Sequence, residues 1–144
     1  MTDEVSRLTA DVVAIAPDET GRDHVLLIRR GWEPFEGYWA LPGGHVDTDE
    51  HTRDAAVREL AEETGVSVHE GDLIELGAWH APGRDPRGRY VTVAYRVSVW
   101  TTVTLRADDD ATDARWVPVD DLDDIGLAFD HREIIRAALT PRVA

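Results

Sequence analysis

The sequence predicts an α/β fold, a mixed β-sheet with helices packed on it, and three observations carry that expectation. Apolar runs of strand type flank a helical segment, in the order strands, helix, strands, helix. The run 90–100 places Val91, Val93, Tyr95, Val97 and Val99 at alternate positions, the period of a half-buried strand. Residues 131–139 instead gather Ile134, Ile135, Ala138 and Leu139 on one helix face. With 144 residues and no repeat, low-complexity tract or long Pro/Gly/Ser linker, residues 1–144 are expected to form one domain.

Taken in order, 9–16 (Thr-Ala-Asp-Val-Val-Ala-Ile-Ala) and 24–30 read as strands, joined by Pro17-Asp18-Glu19-Thr20-Gly21, which has hairpin-turn chemistry. A helix is expected over 51–64, stopped at Gly65. Strands follow at 73–79 and 90–100, with a short one at 115–119, before the terminal helix. Asp130 and Glu133 have the spacing of a capping box at that helix's start.

Composition narrows the function. There is no cysteine, so disulfides, thiolate metal sites and cysteine nucleophiles are excluded. Fifteen basic residues, all arginine, face 29 acidic ones, for a formal charge of -14. That balance argues against nucleic acid as a partner, because phosphate-backbone binding needs cations that displace counterions. An anionic substrate would need a local cation to be held. No apolar run approaches the roughly 18–20 residues that span a bilayer, and Met1-Thr2-Asp3-Glu4 lacks the start of a secretory signal. A cytoplasmic protein without a membrane partner is expected. The histidines show no His-x-x-x-His or His-Glu-x-x-His spacing, and His24, His69 and His80 are given no role.

The chemistry-bearing stretch is Gly43-Gly44-His45-Val46-Asp47-Thr48-Asp49-Glu50, continuing to Arg58-Glu59-Leu60-Ala61-Glu62-Glu63-Thr64-Gly65-Val66. At about 100° per residue, Glu59, Glu62 and Glu63 share a sector of one helix face, with Val57, Leu60 and Ala61 opposite. Like charges at these spacings repel, and a hard divalent cation such as Mg²⁺ relieves the repulsion. A solvated acidic face is the competing reading of the glutamates alone. The two glycines are expected to let the backbone turn tightly beside a ligand.

The spacing Gly44, five residues, Glu50, seven residues, then Arg58-Glu59-Leu60-x-Glu62-Glu63-x-Gly65-Val66 resembles the Nudix box at every fixed position. The layout is similar over nearly the whole chain. The resemblance implies a Nudix hydrolase: an α/β/α sandwich with a mixed β-sheet that cleaves a nucleoside diphosphate linked to another moiety. It implies Mg²⁺ or Mn²⁺ as cofactor, held by Glu59, Glu62 and Glu63, with Gly43 supplying a carbonyl and Glu50 a peripheral ligand or an orienter. Arg58 is implied to hold a carboxylate in place; a surface ion pair is the alternative. Such a cation would neutralise the pyrophosphate and activate a water, whose proton Glu62 or Glu63 is placed to take. Some family members use an acidic residue on a later loop. Asp110 is the candidate here, against an ordinary solvated turn.

Outside the box, Arg30 ends a strand and is implied to bind phosphate. Trp32, Phe35, Tyr38 and Trp39 could stack on a base or belong to the core. Two features are similar to the ADP-ribose pyrophosphatase branch: the segment 79–89, with Pro82 sixteen positions beyond Val66 and with Arg84, and Leu127-Ala128-Phe129-Asp130-His131. In the second, Phe129 would pack on adenine and Asp130 accept from its exocyclic amine. The resemblance thus implies a small-molecule partner, ADP-ribose, cleaved to AMP and ribose 5-phosphate, and a homodimer as in many relatives of that branch. Its rivals are a (d)NTP pyrophosphohydrolase releasing NMP and pyrophosphate, and an ADP-ribose sensor without turnover. Such sensors usually lack the full carboxylate set and carry a following DNA-binding domain. With every box carboxylate present and the sequence running to Ala144, the sensor is the least expected of the three.

Overall fold

In the computed structural model, which describes residues 4–103, 105 and 111–140, strand β1 (Ser6–Pro17) is the axis of a mixed sheet. It runs antiparallel to β2 (Asp23–Arg30) on one side and parallel to β6 (Arg89–Ser98) on the other. Beyond β2 lie β3 (Trp39–Ala40) and β7 (Ala111–Pro118); beyond β6 lies β5 (Ile74–Trp79). A short β4 (Gly43–His45) pairs with the start of β1. The turn after β1 is built as its residues suggest: Asp18 Oδ1 accepts from the backbone N–H groups of Thr20 and Arg22.

Residues 10–16 of β1 are all buried, because both faces of the sheet are covered. Ala10, Val12 and Ala14 pack with Ala56 and Leu60 of helix α1 (Thr52–Thr64). Val13 and Ile15 pack with Ile134, Ile135 and Ala138 of α2 (His131–Leu139) on the other face. The helix–sheet–helix layering expected from the sequence is what forms. Among the described residues, no helix is long and apolar enough to cross a membrane.

Two local expectations are corrected. The apolar stripe of α1 is Ala56, Leu60 and Thr64, with Val57 and Ala61 only partly buried. That stripe adjoins Glu59 and Glu63 rather than opposing them, so these two carboxylates sit at the helix–sheet seam. At α2, Asp130 occupies the N-cap position but makes no capping hydrogen bond, so no capping box forms. Its carboxylate is used elsewhere.

Candidate active site

The register Asp11↔Gly43 lays the two glycines beside β1 and below α1. Neither has a positive φ; space is what they supply. A Cβ at Gly43 would collide with the Asp11 carboxylate and the Ala10 carbonyl, and one at Gly44 would lie 2.6 Å from the Glu59 carboxylate. Gly43 N–H donates to Glu63 Oε1 at 2.7 Å. The expected tight turn is therefore a strand against which carboxylates pack directly.

Arg58 gathers the acidic groups of the box. Its Nε and Nη2 donate to both oxygens of Glu50 at 2.9 Å, and Nη1 donates to Glu59 at 2.8 Å and Glu62 at 3.4 Å. Nη2 also reaches the His45 carbonyl. Arg58 holds Glu50 well below the usual carboxylate range, at about 2. Burial instead raises Glu59 above its ordinary value. Burial pushes Glu63 furthest, to about 9, against the Gly43 hydrogen bond and reinforced by Glu59, Asp11 and Glu62.

Of these groups Glu59 and Glu63 line a cavity of about 380 Å³, whereas Glu50 and Arg58 do not. Asp11, Gly43, Gly44 and Asp47 line it beside them, and Arg30, Trp32, Arg84, Asp85, Arg87 and Phe129 stand among the other lining residues. Among the described residues, no three histidine, aspartate or glutamate side chains are arranged to hold an ion as they stand. Glu59 is turned onto Arg58 and Glu63 onto Gly43. Even so, the donor chemistry fits a hard cation: all-oxygen ligands, two of them carboxyls whose charge burial disfavours. Glu62 is more exposed and does not line the cavity.

The remaining sequence candidates divide. Arg30 and Phe129 line the cavity, and Trp32 does so with its side chain largely exposed. Tyr38 and Trp39 do not; they border a shallow depression with Gly37, Ile125 and Gly126. Trp39 packs on the α2-side core, with the Arg115 guanidinium over its ring. The Asp130 carboxylate is paired within the protein. Both of its oxygens take hydrogen bonds from Arg84, at 2.8 and 2.6 Å, in a largely buried pair. Arg84 lines the cavity, yet two of its donors are committed to Asp130. Phe129 has φ 52°, meets Phe35 edge-on at 4.9 Å, and carries the guanidinium groups of Arg30 and Arg87 over its ring. Asp110 lies outside the described residues.

Several lining residues escaped the sequence reading. Buried Asp11 accepts from Thr92 Oγ1 at 2.5 Å and lies 3.9 Å from His131 Nε2. His131 Nδ1 accepts the Leu41 N–H at 3.0 Å, which assigns its proton to Nε2, facing Asp11. Burial lowers the pKa of this imidazole. The signal for Asp11 was a lone carboxylate inside an apolar strand.

The chain belongs to the NUDIX domain family, whose model matches residues 6–138. It is 41% identical over 112 residues to an ADP-ribose pyrophosphatase of Methanocaldococcus jannaschii, covering 78% of this chain and 63% of that protein. It is 33% identical over 134 residues to the ADPR-responsive transcriptional repressor NtrR of Acinetobacter baylyi, covering 91% of this chain and 52% of the repressor. The chain thus spans between half and two thirds of the length of these relatives. Among solved structures, the NUDIX domain of Shewanella oneidensis NrtR in complex with ADP ribose superimposes with a TM-score of 0.87 at 32% identity, over 94% of this chain and 88% of that one.

Proposed function

We propose that this chain is a divalent-cation-dependent pyrophosphohydrolase of nucleoside diphosphates linked to a further moiety, and that its substrate is ADP-ribose, cleaved to AMP and ribose 5-phosphate. The observation that carries the reading is one cavity lined both by carboxyl groups of the box helix, Glu59 and Glu63, and by the guanidinium groups of Arg30, Arg84 and Arg87. Glu59, Glu62 and Glu63, with the Gly43 carbonyl, would hold Mg²⁺ or Mn²⁺. Such an ion supplies charge neutralisation of the bridging phosphates and an acidified water. Arg58 and Glu50 hold the ligand face in place through their paired hydrogen bonds. Arg30, which lines the same cavity, would receive phosphate charge. Glu63, which lines the cavity, is better placed than Glu62 to take the proton of the attacking water. The ADP-ribose assignment draws on the pyrophosphatase relative and the ADP-ribose-bound neighbour.

Product analysis with a nucleotide panel tests this. AMP plus ribose 5-phosphate, formed only with Mg²⁺ or Mn²⁺, is expected. Full turnover in excess chelator overturns the mechanism, and a preference of about tenfold or more for a dNTP, roughly 1.4 kcal/mol, overturns the substrate. The likeness to NtrR favours one second reading, an ADP-ribose receptor. Saturable ADP-ribose binding with no product under any divalent cation would establish it instead.

A further inference from the structure

We propose that Arg87, held by buried Asp85, forms with Arg30 a two-guanidinium receptor for a phosphate group of the substrate, making Arg87 rather than Arg84 the binding arginine of the 81–88 loop. This deepens the pyrophosphohydrolase reading and rests on it. Arg87 donates from Nε and Nη2 to the two oxygens of Asp85, at 3.1 and 2.7 Å, and the Asp85 backbone-facing oxygen also accepts the Arg87 N–H at 2.9 Å. The Asp85 side chain is 3% exposed while that of Arg87 is 40% exposed. A buried aspartate gripping the back of an arginine that stays open to a cavity adds little stability, but it fixes where the guanidinium lies. The Tyr90 and Phe129 rings lie beneath that guanidinium, at 4.7 and 5.6 Å.

Arg30 reaches the same Phe129 ring, 5.0 Å from its centroid. Its Nε donates to the Pro34 carbonyl, and among the described residues it forms no ion pair with a carboxylate. Burial and the nearby charge of Arg87 disfavour its protonated form, while the charges of Asp85, Glu63 and Asp11 favour it. Two guanidinium groups brought over one ring repel each other, and an oxyanion between them would relieve the repulsion and accept hydrogen bonds from both. Arg84 is gripped by Asp130 through the same two donors, but its side chain is 5% exposed against 40% for Arg87, so it presents far less of its guanidinium to a ligand.

The test is titration of the whole protein with inorganic pyrophosphate in chelator at low salt, following calorimetry and the arginine Nε–H resonances. Saturable binding that shifts the Arg87 and Arg30 signals is expected. Arg87→Gln should weaken it by about tenfold or more, the loss of a charge-assisted hydrogen bond. Arg87→Lys should restore only part, because an ammonium cannot bind Asp85 and an oxyanion in one planar fork. Asp85→Asn should weaken binding with Arg87 still present. Arg136→Gln, on the exposed side of α2, should bind as the parent does. With ADP-ribose, Arg87→Gln should raise KM by a similar factor and leave kcat within about threefold, the mark of lost binding. No saturable binding by the parent, or unchanged binding by Arg87→Gln with a normal unfolding midpoint, overturns the receptor. Pyrophosphate binding that depends on Arg87 in a protein that cleaves no nucleotide of the panel with any divalent cation would leave the receptor standing and refute the hydrolase reading.

Discussion

Glu63 is a carboxyl whose neighbours disagree with its charge. Burial, Glu59, Asp11 and Glu62 raise its pKa to about 9, against the Gly43 hydrogen bond, which favours ionisation. Without divalent cations, the folded protein keeps this proton over a range in which the unfolded chain, near the ordinary glutamate value of 4.5, has lost it. The stability that the proton brings is full below about 4.5 and is lost as pH rises toward about 9. The cation-free unfolding midpoint of the parent should therefore fall between these pH values more steeply than that of Glu63→Gln, whose amide cannot ionise. With Mg²⁺, the same variant should lose at least about 10² in kcat, as when a positioned acid–base group is removed. Asp110→Asn, measured alongside, should be much milder; a loss as large as that of Glu63→Gln would move the base to the later loop. Asp130 gives the opposite kind of prediction. Its removal leaves Arg84 buried and unpaired, so Asp130→Ala should destabilise by about 3 kcal/mol or more in denaturant unfolding. An unchanged stability with a raised KM would return Asp130 to the adenine-reading role suggested by its sequence context.

At the scale of elements, β4 separates folding from function in neighbouring residues. A methyl group at Gly43 meets the Ala10 carbonyl and the Asp11 Cα, backbone atoms that cannot step aside. At Gly44 the nearest atoms belong to the carboxylate end of Glu59, which can swing away. Gly43→Ala should thus cost about 1–3 kcal/mol of stability, the range for overpacking. Gly44→Ala should keep nearly the parent's midpoint but lose activity, because Glu59 is displaced from the cavity wall. Thermal midpoints beside kcat distinguish the two, and equal midpoints would show that β4 is not packed as described. β4 was also the element least legible in the sequence. Strands of two or three residues carry no readable period, and β3 and β4 exist only through their partners β2 and β1. The terminal helix, by contrast, is found over 131–139 as its apolar spacing indicates, because its buried face faces one sheet. The placement of Glu59 and Glu63 on one side of α1 was legible because covalent spacing on a helix sets their neighbours. The pairing of Arg84 with Asp130 and of Arg87 with Asp85 was not, since it comes from tertiary contact: which of two arginines in one loop turns to Asp130 cannot be read from spacing.

For the molecule as a whole, a charge of -14 means that any salt relieves self-repulsion, so stabilisation by Mg²⁺ alone proves nothing about a site. The two contributions separate by titrating Mg²⁺ against NaCl at matched ionic strength. Diffuse screening raises the unfolding midpoint with either salt and is indifferent to which carboxylate is altered. Binding at the box wall adds RT ln(1 + [L]/Kd), about 2.7 kcal/mol when Mg²⁺ is at a hundred times its Kd. For a chain of this size, that corresponds to a further rise of roughly 5–10 °C. Glu59→Gln and Glu63→Gln should abolish the excess while keeping the NaCl response, because they alter the wall and hardly change the total charge. Arg58→Gln should also reduce it, since Arg58 holds Glu50, Glu59 and Glu62 in position. If Mg²⁺ raises the parent's midpoint no further than matched NaCl does, the carboxylate wall binds no divalent cation, and the α1 glutamates are an acidic face whose repulsion is relieved by Arg58 alone.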